Sequence, residues 1–84
     1  MHPSLRLVSE RFAHLRDHAV RVFEHDENFR DLCDEYEACT GTVTRLRSSG
    51  SASRGMRDEY AALLLRLEHE LLRYLEEHPT RGAV

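Results

Sequence analysis

Two apolar stripes of the same rhythm, separated by a run of serine and glycine, constrain this chain more than any other feature. The first, Phe29, Leu32, Tyr36, Cys39, Val43 and Leu46, advances in alternating steps of three and four. The second, Tyr60, Leu63, Leu64, Leu67, Leu71, Tyr74 and Leu75, holds to one helical face. Such spacing belongs to amphipathic helices; strands would repeat every second residue. Between the stripes, Ser48-Ser49-Gly50-Ser51-Ala52-Ser53 reads as a flexible turn. Short connections favour antiparallel neighbours. The sequence therefore predicts an all-α antiparallel helical hairpin, with helices over about 27–47 and 55–78 and a turn at 48–54.

The two stripes match like a zipper: Leu46 with Tyr60, Val43 with Leu63, Cys39 with Leu67, Tyr36 with Leu71, Leu32 with Tyr74. The expected hairpin core is Phe29, Leu32, Tyr36, Val43, Leu46, Tyr60, Leu64, Leu67, Leu71 and Tyr74, whose burial at roughly 1.5–3 kcal/mol each sets the register. The same register brings Arg47 near Glu59, Asp34 near Arg73, and Arg30 near Glu76 or Glu77.

Upstream, Leu5, Val8, Phe12, Leu15, Ala19 and Val22 repeat the rhythm and predict an N-terminal helix over about 4–24. Asp26 falls where an apolar residue is due and is placed to N-cap the next helix, with Glu27 in its first turn. A break or bend is expected there, with one continuous helix as the other possibility. Thr40-Gly41-Thr42-Val43-Thr44 is the weak stretch of the second helix, but the stripe crosses it unbroken. Pro79 ends the last helix at about His78, and residues 79–84 read as a loose tail.

Leu65 and Leu72 widen the apolar arc of the last helix to roughly 200°, more than one neighbour can cover. The chain has 84 residues and forms one small domain. A domain of that size buries only about 60% of its unfolded surface and gains from pairing with a second chain. Either the N-terminal helix folds back to give a three-helix bundle, or two chains share a larger one. The dimer is the favoured expectation, with Leu65, Leu72, Phe12 and Leu15 at its interface.

The formal net charge of −3 argues against a general nucleic-acid binder, whose affinity comes from Lys and Arg on phosphates. The charges are nonetheless segregated. Glu24 to Glu37 holds seven acids and one arginine, whereas the hairpin tip holds Arg45, Arg47, Arg54 and Arg57 with no acid among them. That tip is a possible anion-binding site, though cations near a helix C-terminus also serve the helix dipole. All twelve basic residues are arginine, which fits nucleotide bias in a GC-rich genome, with selection for bidentate phosphate or carboxylate contacts as the alternative.

No apolar run follows Met1, and no segment approaches the ~20 apolar residues that span a membrane. The expectation is a cytoplasmic protein with Cys33 and Cys39 reduced. Six residues apart on one helix, these two cannot form an intrachain disulfide. Cys39 lies on the stripe and Cys33 beside it, among Asp31, Asp34 and Glu37, which should keep its thiol unreactive. His14 and His18 have a metal-compatible spacing of four, but the glutamate of an HExxH motif is missing and both fall off the apolar stripe. They read as solvated surface residues. No metal, cofactor or catalytic group is expected, and the chain does not read as an enzyme.

The stretch Asp26-Glu27-Asn28-Phe29-Arg30-Asp31-Leu32-Cys33-Asp34-Glu35-Tyr36, ending near Leu46, resembles the first long helix of the YdcH-like family, small bacterial proteins of unknown function. In that family a short helix precedes a phenylalanine-led helix, then a turn, then a charged, leucine-rich helix. Tyr60 to Leu75 corresponds to the last, and the resemblance covers about residues 12–78. It implies a fold and no activity. The functional expectation is a helical protein–protein interaction module, self-associating and open to an unknown protein partner. The alternative is a small nucleic-acid-associated regulator using the basic tip.

Overall fold

The computed structural model describes residues 1–51 and 53–78. Four α-helices form an all-α bundle: α1 (Pro3–Arg11), α2 (Arg16–His25), α3 (Glu27–Ser48) and α4 (Arg54–Glu77), with a single 3-10 turn, Ala13–Leu15, between the first two. Helices α3 and α4 are the long hairpin, each within about one residue of its expected boundaries. The tail at 79–84 lies outside the described residues.

The helix ends follow local chemistry. Pro3 opens α1 without leaving an amide unpaired, and the His2 ring accepts the Ser4 amide at 3.2 Å. Asp26 is extended (φ −134°, ψ 107°), and its carboxylate accepts the Phe29 amide at 3.1 Å. This separates α2 from α3, so the two are not continuous. Ser53 caps α4 through the Met56 amide at 3.1 Å. The weak stretch of α3 stays helical because Cys39 and Val43 are buried in the core; its exposed hydroxyls fold back on the backbone, Thr42, Thr44 and Ser48 donating to the carbonyls of Ala38, Thr40 and Thr44.

The single N-terminal helix expected over 4–24 is two helices. The chain breaks at Phe12 (φ −121°, ψ 60°), where no glycine or proline demands it. Tertiary burial overrides local propensity there. Helix α1 rises along α3, from His2 beside Asp34 to Glu10 beside Gly41. Helix α2 then descends: the His18 Nε2 meets the Leu75 carbonyl oxygen at 2.8 Å, and the Phe23 carbonyl accepts from Arg30 at 3.3 Å. The short hairpin α1/α2 thus lies on one side of the long hairpin α3/α4, at its open end.

The core joins Leu5, Val8, Phe12 and Ala19 of the N-terminal half to Phe29, Cys33, Tyr36, Cys39, Val43, Leu67, Leu71 and Leu75. Leu32, Leu46, Tyr60, Leu64 and Tyr74, expected in the core, are only half-buried. Cys33, expected beside the stripe, is wholly buried because α1 packs on that flank of α3. At the open end of the hairpin one contact departs from the zipper pairing. Tyr74 lies against Phe29, with ring centroids 5.6 Å apart, and reaches Asp26 rather than Leu32. Two of the three expected inter-helix ion pairs are replaced. Arg73 pairs with Glu77 on its own helix, Asp34 faces His2, and Arg30 serves the Phe23 carbonyl.

Of the four residues expected at a dimer interface, Phe12 is 6% exposed and belongs to the chain's own core. Leu15 and Leu72 pack partly against that core. Only Leu65, 60% exposed, stands free, one turn above the reach of α1.

Candidate functional site

Among the described residues, the side of the long hairpin away from α1 and α2 carries an open groove. Glu35, Ala38, Cys39 and Thr42 of α3 face Tyr60, Leu63 and Leu67 of α4 across an open groove with apolar walls. No residue of α1 or α2 contributes to it. Met56, at the tip end of α4, is 46% exposed. It precedes Leu63 by seven residues and so falls on the same flank of α4.

Above the groove stands the basic tip. Arg45 donates to the Thr42 hydroxyl at 3.2 Å, and Arg57 reaches across the turn to the Ser49 carbonyl at 3.3 Å. Arg47 and Arg54 are exposed. Among the described residues, Arg45, Arg47 and Arg54 make no ion pair with a carboxylate. The acids of Glu24 to Glu37 lie at the opposite end of α3, with Asp31, Asp34 and Glu35 exposed.

Two polar joints hold this frame, and neither carries a sequence signature. In the first, Glu68 of α4 accepts the Tyr36 hydroxyl at 2.7 Å and a forked contact from Arg11 at 3.0 and 3.4 Å. One carboxylate thereby ties α1, α3 and α4. Burial, followed by this bond to a carboxylate, pushes the Tyr36 phenol up to about 12, and the hydrogen bond to Glu68 raises the Arg11 guanidinium. In the second joint, Asp26 accepts the Tyr74 hydroxyl at 2.6 Å while capping α3. The Tyr74 bond, the largest influence, outweighs desolvation and holds the Asp26 carboxyl below its ordinary value. Burial and Asp26 push Tyr74 up to about 12. The His78 ring stacks on Tyr74 at 4.1 Å.

The histidines and cysteines are dispersed. His14 is exposed, whereas His18 is half-buried on the Leu75 carbonyl rather than solvated. No cluster of three or more His, Cys, Asp or Glu suited to a metal ion occurs among the described residues. Cys33 and Cys39 are free thiols and buried. Burial first, and Asp34 second, pushes the Cys33 thiol up to about 12; burial also raises Cys39. The acidic neighbours expected to quiet Cys33 are thus the lesser cause. No described helix is long and apolar enough to cross a membrane.

Comparison with protein-family models, with curated proteins and with solved structures finds no match to the chain. The resemblance to the YdcH-like family accordingly rests on the residues quoted for it.

Proposed function

We propose that this chain is a helical protein–protein interaction module that pairs with a second copy of itself and performs no catalysis. The observation that carries this reading is the open groove on one side of the α3/α4 hairpin. The groove is walled by Ala38, Cys39, Tyr60, Leu63 and Leu67, with Glu35 and Thr42 at its edge, and among the described residues no part of α1 or α2 lines it. A contiguous apolar face on a small domain marks an association surface. The short hairpin acts as a buttress that fixes the base of the long one through Arg11 and Glu68. Reduced, buried cysteines suit a cytoplasmic setting. Sedimentation equilibrium at high micromolar concentration tests the reading. A mass of two chains is expected, and a strict monomer overturns it.

A second reading draws on Arg47 and Arg54, which are exposed without carboxylate partners at the tip. Arginines so placed suit phosphate, and the module would then be a nucleic-acid-associated regulator. That reading requires an RNA or DNA mobility shift that weakens steeply with salt and disappears when Arg47, Arg54 and Arg57 are replaced by Ala. No shift at low salt removes it.

A further inference from the structure

We infer that two copies associate antiparallel, groove to groove, with the basic tip of each hairpin against the acidic base of the other; this rests on the self-association proposed above. The inference comes from one flank of α3. Asp31, Glu35, Ala38, Thr42 and Arg45 succeed one another in steps of four, three, four and three, which places them in a single row. Three of the five, Glu35, Ala38 and Thr42, wall the open groove, and Arg45 is tied to Thr42 by its hydrogen bond. The row runs from acid at the base to arginine at the tip, with an alanine at its midpoint.

A two-fold axis through Ala38 converts this polarity into complementarity. It sets residue 38 + n of one copy beside residue 38 − n of the other. Arg45 meets the second copy's Asp31, and by symmetry Asp31 meets its Arg45. Thr42 meets Asp34. The small side chain at the axis lets the two α3 helices approach closely. A parallel arrangement instead stacks Arg45 on Arg45 and Asp31 on Asp31, which opposes association. Isologous two-fold contacts are also the commonest form of homodimer.

The face approaches the size of a stable interface. Helix α3 has 22 residues, so it extends about 33 Å, and two helices about 10 Å apart present on the order of 600 Å² per copy. Stable interfaces use roughly 800 Å² per partner, a figure approached once side chains interdigitate. The exposed Met56 at the tip falls toward the second copy's base.

The experiment compares dimer dissociation constants for the whole chain and three charge variants, with circular dichroism verifying that each is folded. Arg45 and Asp31 are both exposed, so neither substitution disturbs the core. Arg45→Glu alone and Asp31→Arg alone should each raise the dissociation constant about tenfold, because each change converts two symmetric attractions into repulsions. Combining the two in one chain should restore it to within about threefold of the original. A dimer indifferent to the single changes, or a double variant weaker than either single, overturns the antiparallel arrangement while leaving self-association intact. A monomeric wild-type chain overturns both. So does a chain that remains monomeric and shifts an oligonucleotide through these arginines.

Discussion

Replacing Tyr36 by Phe removes one hydroxyl from the joint that ties three helices together. Tyr36 is 4% exposed and the Glu68 side chain 12% exposed, so the 2.7 Å bond between them is largely shielded from water. A hydrogen bond to a charged acceptor contributes about 1.5–3 kcal/mol in such settings. Glu68 keeps Arg11 in the variant, which favours the lower end, about 1.5 kcal/mol. For a chain of this size that lowers the melting temperature by about 6–12 °C. A double-mutant cycle with Glu68→Gln isolates the pair, and the coupling should be about 1 kcal/mol. The effect also has a pH signature. The folded phenol ionises at about 12 against an ordinary value of 10.0, so the folded state holds its proton more tightly. The stabilisation is full below pH 10 and is lost as pH rises towards 12. Tyr36→Phe should flatten that alkaline decline in part, and adding Tyr74→Phe should flatten it further, because Tyr74 also ionises at about 12. Thermal denaturation across this pH range is the assay. Additivity of the two single changes to within about 0.3 kcal/mol, or an unaltered alkaline decline, refutes the reasoning.

Three further outcomes are expected. Asp26→Ala removes both the α3 cap and the Tyr74 bond and should cost about 1–3 kcal/mol by urea unfolding; because the folded Asp26 carboxyl titrates below 3.8, the wild-type contribution persists above that pH and fades as pH falls through the folded value, so acid unfolding of the variant should be less pH-sensitive. Cys33, wholly buried with its thiol pushed up to about 12, should react with iodoacetamide at neutral pH only as fast as the chain opens, and mass spectrometry of a native time course reads this directly. Gly41→Ala should stabilise the chain by about 0.5–1 kcal/mol, since the position is helical and nothing lies within 4 Å of the added methyl; a lower melting temperature would show that α1 sits closer to Gly41 than the structure has it.

The long hairpin was legible because it is built from nearest-neighbour rules. The stripe from Phe29 to Leu46, the Asp26 cap and the serine-rich turn each act within a few residues, and each specifies its own element. What could not be read depends on where α1 and α2 come to rest. Cys33 is buried because α1 covers its flank, and Phe12 faces inward because the chain turns there. The Glu68 joint joins residues 32 and 57 positions away, and a glutamate amid leucines on a charged helix offers no local sign of that role. The tip arginines were visible as a cluster, but only the structure separates Arg45 and Arg57, occupied within their own hairpin, from Arg47 and Arg54.

The break at Phe12 decides how much of the hairpin the chain can cover. An unbroken helix over residues 3–25 would extend about 34 Å, the length of α3, and could shield one flank from base to tip. Broken, it becomes α1 with 9 residues and α2 with 10, each about 14–15 Å long. Both then lie against the base, where Phe12, Ala19, Cys33 and Leu71 are buried, and neither reaches Leu65. The chain thus exchanges thin, full-length cover for thick cover over half the hairpin. Its radius of gyration, 14.3 Å, exceeds the ~12 Å of a compact chain of this length because the upper half projects. That upper half is a two-helix segment with few wholly buried side chains, so its backbone amides should exchange far faster than those of the base. The self-association proposed above predicts that a second copy seated on the groove buries Leu63 and Met56 further and slows amide exchange in the upper half.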